Sequence, residues 1–179
     1  YDDYYVRPDI KLVIANNFQH DLYISELISP ISGCNLGSDE TIQITVINNG
    51  VNDESLYTLS YSVDSGNSFI SENVNQLLAA GDTLAYSFLQ TADLSAAGLY
   101  TVVCAVHISN DDFPQNDTFS CIVSHYPMID TFPYTENFEN GQGGWFTGYL
   151  SGTSSWYFGT PSGYDITGAS SGLNAWISS

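Results

Sequence analysis

Basic residues are almost missing from this sequence. Among 179 residues only Arg7 and Lys11 are fixed cations, against 20 Asp and Glu, for a formal net charge of −18 at neutral pH. Nothing from Leu12 onward can neutralise a phosphate, and nucleic-acid binding, which draws its affinity from such contacts, is excluded. The same deficit argues against a basic patch for anionic lipid and against phosphoryl-transfer chemistry. Long hydrophobic runs are also missing, since no window approaches the roughly 20 apolar residues of a membrane helix. The three cysteines have no zinc-site spacing, and their odd number leaves at least one without an internal partner. The chain opens on Tyr1 with no initiator Met and no leader peptide, and reads as a mature or excised piece of something longer.

What is present is an apolar chain with strand patterning. A hydrophobic fraction of 43% with 14% aromatic residues is too apolar for a disordered acidic polypeptide. No amphipathic helical period is found. Residues 21–28, 41–47, 56–63, 69–78, 83–89, 99–109 and 118–124 instead alternate apolar with polar positions. Ile42, Ile44 and Val46 fall on one face, as do Tyr57, Leu59 and Tyr61, then Tyr100, Val102, Cys104, Val106 and Ile108. Period 2 gives each sheet one face for the core and one for water. Between the strands stand turn formers, clearest in Asp64-Ser65-Gly66-Asn67. Seven such strands predict an all-β, antiparallel Ig-like β-sandwich. Composition shifts place it at 19–126. Residues 1–18 read as the terminal strand of a preceding β domain or a linker. Residues 127–179, which hold all three tryptophans, read as the truncated start of a second, aromatic-rich β domain.

Four groups of side chains are candidates for chemistry. If the last hairpin is symmetric, Cys104 lies opposite Cys121, and a cross-strand disulfide needs only slight local distortion; two reduced thiols packed as small hydrophobes are the alternative. Asp111, Asp112 and Asp117, with Asn110 and Asn116, gather oxygens in one loop, and Ca²⁺ takes about six to eight. Their spacing is not that of an EF-hand, and Asx residues also serve loops simply as turn formers. Trp145, Trp156 and Tyr157 present aromatic faces that suit stacking on sugars, or else pack the second domain. His20, His107 and His125 have no ligand spacing and read as idle, and no nucleophile elbow is present. No catalytic residue is assigned.

The residues also carry a resemblance. DLYISELISPISGCNLG, ETIQITVINNG, LLAAGDTLAYSF and TADLSAAGLYTV resemble the CARDB-like, fibronectin-III-related modules of secreted Bacteroidetes surface proteins. FENG, GGW, WYFGTP and SGLNAW, within 134–176, resemble the start of choice-of-anchor J jelly rolls, related to MAM and cleaved-adhesin domains. YYVRPDIKL would suit the closing strand of another jelly roll. The resemblance implies a sandwich flanked by jelly-roll pieces in a large protein exported by the type IX route to the cell surface, as an adhesin or gliding-motility component. It implies a structural Ca²⁺ on Glu139 and no other cofactor. It also likens Asp82-Thr83-Leu84 to an O-glycosylation site at Thr83. The expected partners are neighbouring domains of the same chain, and surface glycans or other cell-surface proteins. Two alternatives stand: a non-catalytic accessory region of a secreted peptidase or glycosidase, or a filament subunit assembling by strand addition.

Overall fold

The alternating runs fold as alternation requires. The structure is a computed structural model and describes residues 18–147, 155–163 and 165–178. The seven strands of the sandwich are β1 (Leu22–Ser29), β2 (Gln43–Asn48), β3 (Tyr57–Ser62), β4 (Ile70–Val74), β5 (Thr83–Ser87), β6 (Gly98–His107) and β7 (Thr118–His125). A separate hairpin follows, of β8 (Trp156–Gly159) and β9 (Ala175–Ser178). No helix forms among the described residues, so none is long and apolar enough to cross a membrane. Of residues 1–18, expected as a terminal strand or linker, 1–17 lie outside the described residues.

One sheet has the order β1-β2-β5 and the other β4-β3-β6-β7, with every pairing antiparallel. In constant-type immunoglobulin domains the fourth strand lies beside the fifth, making four strands over three. Here β4 lies beside β3 instead. The inner faces supply the core: Leu22 and Ile24, Ile44 and Val46, Leu59 and Tyr61, then Val102, Cys104, Val106 and Val123. Burying each such aliphatic side chain stabilises the fold by roughly 1.5–3 kcal/mol. The third strand has no Trp, and Tyr61 takes that place. Its ring meets Phe88 edge-on at 4.8 Å, and its hydroxyl donates to the Gln90 carbonyl at 3.0 Å. Thr45, expected on the wet face, is buried, and its hydroxyl donates to Glu26 at 2.9 Å.

Each open side of the sandwich is closed differently. Between β4 and β5, the Glu72 carboxylate accepts from the Tyr86 hydroxyl at 2.6 Å and from the backbone N–H of Leu89 at 2.9 Å and Gln90 at 3.3 Å. On the opposite side the chain after β1 reaches across to β7, where Gly33 donates to the Ser124 carbonyl and accepts from Tyr126 N–H. The Asp64–Asn67 turn forms as read. The Asp64 carboxylate accepts from the Ser62 hydroxyl and from the N–H of Asn67 and Ser68, while Ser65 and Gly66 take positive φ. The Ser62 bond first, then those from Ser68, hold the Asp64 pKa down at about 2.

The last hairpin corrects one expectation. Cys104 is opposite Phe119, and Cys121 is opposite Val102, so the cysteines are two residues out of opposition. All three cysteines are free thiols. The offset has a physical cause: the 108–117 loop is not a free symmetric arc but is pinned to the residues ahead of β1.

Candidate functional site

The pinning uses the loop carboxylates. Asp112 Oδ2 accepts from the backbone N–H of Gln19 at 2.6 Å and of His20 at 3.1 Å, while Asp112 N–H donates to the His20 carbonyl at 2.8 Å. Asp111 accepts from the N–H of its own loop's Phe113 at 2.6 Å and, more loosely, from Leu22 N–H at 3.4 Å. Phe18 stacks on Phe113 with centroids 5.3 Å apart. Asp21 is fully buried and held by the side-chain amides of Asn49 and Asn116. Of the predicted calcium residues in this loop, Asp111 and Asp112 thus act on backbone donors. No group of three or more His, Cys, Asp or Glu is arranged to hold a metal ion among the described residues. Glu139 lies elsewhere, its Oε1 accepting from Leu173 N–H at 2.9 Å and Asn174 N–H at 2.8 Å.

Asp117 is the unbalanced member. Its Oδ1 and the Asn116 Oδ1 are buried without a hydrogen-bond partner. Burial, then the Asp111 and Asp21 charges, push the Asp117 pKa up to about 6 against the opposing pull of His107. Asp112 moves the other way, lowered first by the His20 N–H and then by Gln19.

Two histidines expected to be idle are not. His20 Nδ1 lies 2.6 Å from Glu54 Oε1, and His125 Nδ1 lies 2.7 Å from the Leu94 carbonyl. Their partners come from distant loops, so spacing gave no signal. Cys34 is exposed in its loop, and Thr83 is exposed where edge strand β5 begins.

The aromatic candidates separate. Trp156 and Tyr157 on β8, with Phe158, Trp176 of β9, Phe146 and Leu99 of β6, line a groove of about 330 Å³. That lies within the about 300–1,000 Å³ of small-molecule sites. Gln142 and Thr147 add the polar groups, and no described lining residue carries a charge at neutral pH. Phe146 is anchored by stacking on Tyr126, just past β7, at 5.9 Å and 6°. Trp176 is placed by its Nε1–H donating to the Gln142 carbonyl at 3.4 Å and by its ring beside Phe158 at 5.8 Å. Trp156 is 55% exposed and Tyr157 42%, leaving ring area open to a ligand. Trp145 is not part of the groove, and its ring meets Phe138 edge-on at 5.6 Å. The sequence singled out Trp156 and Tyr157 as aromatic faces. It gave no sign of Phe146, Trp176, Gln142 or Leu99, which come from three other segments.

No protein family matches the sequence, and no curated protein does. Among solved structures, the 272–376 domain of a "putative cell surface protein" from Methanosarcina acetivorans, determined by NMR, is similar to the chain. The likeness covers 65% of this chain and 98% of that domain, at 18% identity and a TM-score of 0.48. At that level no role passes from one to the other.

Proposed function

We propose that this chain is a non-enzymatic module of a secreted cell-surface protein, in which the sandwich sets spacing and the β8–β9 groove contacts neutral sugars. The observation that carries the reading is the groove's lining: aromatic faces and two polar side chains, uncharged, in a chain of net charge −18. Aromatic rings offer apolar area to the C–H faces of a sugar, and Gln142 and Thr147 offer hydrogen bonds to its hydroxyls. An anionic glycan would meet a strongly negative protein with no Lys or Arg among the described residues to pair with it. The surface setting follows the CARDB-like and choice-of-anchor J resemblance of 21–125 and 134–176, which also makes the type IX route and an adhesin role the finer form of the reading.

The test is a panel of neutral and sulfated or sialylated oligosaccharides presented to the full chain and to its Trp156→Ala variant. Binding confined to neutral members and lost in the variant is the expected result. Binding to anionic members only, or equal binding by the variant, would overturn it.

A further inference from the structure

Asn is followed by Gly twice in this chain, at Asn49-Gly50 and Asn140-Gly141. An Asn-Gly step is chemically labile because glycine has no Cβ to hinder attack by its own amide nitrogen on the preceding side-chain carbonyl, and because its backbone is free to turn. The reaction needs a side-chain amide that can swing, a glycine N–H that is not engaged, and room for the backbone to move.

The two sites differ in all three. Asn49 is held by its Nδ2, which donates to Asp21 Oδ2 at 2.5 Å. Gly50 N–H donates to Asn48 Oδ1 at 3.0 Å and to the Asp21 carbonyl at 3.2 Å. Gly50 is buried so tightly that a Cβ there would lie 2.9 Å from both Asp21 N and Gln19 O. Asn140 is exposed in the 138–141 turn, and neither its side chain nor Gly141 N–H makes a hydrogen bond among the described residues. Gly141 has open space around the Cβ position and a φ of +129°, a backbone region glycine occupies readily.

We propose that Asn140 is a site of spontaneous deamidation in the folded protein and that the fold protects Asn49. The Gly141 nitrogen attacks Asn140 Cγ, its proton leaves, the N–Cγ bond forms and the Cγ–Nδ2 bond breaks, releasing ammonia and a cyclic imide. Water then opens the imide at either carbonyl, giving aspartate or isoaspartate without any redox change. The product carries a new negative charge next to Glu139, whose carboxylate holds the Leu173 and Asn174 N–H groups ahead of β9. A second carboxylate there, or the extra main-chain carbon of isoaspartate, weakens that hold.

Incubation of the full chain in mildly alkaline buffer, followed by peptide mapping with mass detection, tests this. A synthetic peptide spanning 136–145 supplies the unstructured rate for Asn140, and the chain in urea supplies that for Asn49. The expected result is a gain of about one dalton at Asn140 at a rate close to the peptide's. Asn49 should convert about tenfold or more slowly in the folded chain than in urea, as a site reached only through local opening. The Asn140→Asp variant should show no further change in that peptide. Folded-state conversion of Asn140 tenfold slower than in the peptide, or Asn49 as fast as Asn140, would overturn the proposal.

Discussion

The Tyr86 hydroxyl on β5 donates a 2.6 Å hydrogen bond to the Glu72 carboxylate on β4, tying the two sheets together at one open side. Because Glu72 also accepts from Leu89 and Gln90 N–H, this one carboxylate fixes the β5–β6 connection. Burial first, and then the bond to Glu72, raise the Tyr86 pKa to about 12.

Tyr86→Phe should therefore cost about 1 kcal/mol and Glu72→Ala more, about 1.5–3 kcal/mol, since three donors lose their acceptor. Urea unfolding of the two variants and of the double variant measures the coupling. A coupling energy near zero would show that the contact contributes nothing. In a spectroscopic alkaline titration, the Tyr86→Phe variant should lack the phenol that ionises near pH 12.

The core gives a contrast of positions on similar side chains. Leu59 is fully buried and Leu89 is 89% exposed. Leu59→Ala should cost about 2–5 kcal/mol, whereas Leu89→Ala should stay within about 0.5 kcal/mol. Equal effects on the denaturation midpoint would contradict the inward parity of β3.

Much of this frame was legible in the sequence because period 2 is a local signal. Ile42, Ile44 and Val46, and Tyr57, Leu59 and Tyr61, are all buried as their alternation implies. The β6–β7 register was not legible. It depends on Asp112 and Asn116 reaching His20 and Asp21, some 90 residues away in the chain. The same holds for Glu72, which reads as one more surface carboxylate until β5 is placed beside β4. The groove was half legible: a run of aromatics identifies Trp156 and Tyr157, but only the fold shows that Trp145 turns to Phe138 instead.

Asp117 sets the sign of the acid response. Its pKa is raised from 3.8 to about 6, so its contribution to stability is fully present below pH 3.8 and is lost as pH rises through 6. Asp64, Asp93 and Asp112 are lowered by hydrogen bonds and act oppositely, losing their contribution as pH falls below the ordinary carboxylate range. Thermal stability should peak near pH 4 and fall between about pH 4 and 6. Asp117→Asn should flatten the decline toward neutrality and gain on the order of 1 kcal/mol or less at pH 7, given solvent screening. A melting temperature that climbs steadily from pH 5 to 7 in the parent chain would contradict the assignment.

The thiols should report the hairpin register. Cys34 is exposed, Cys121 is half-buried on edge strand β7, and burial, then Cys121, push the Cys104 pKa up to about 12. A thiol reagent should label Cys34 first, Cys121 slowly and Cys104 only on unfolding. Recovery of a linked Cys104–Cys121 peptide from the native chain would place the two in opposition and contradict the observed pairing.

The most direct measurement is a titration of the chain with a neutral oligosaccharide, followed by tryptophan fluorescence at low and high salt. The account predicts saturable quenching of equal affinity at both salt levels, abolished by Trp156→Ala and retained by Trp145→Ala. Quenching that survives Trp156→Ala, or affinity that appears only for charged sugars and collapses with salt, would contradict it.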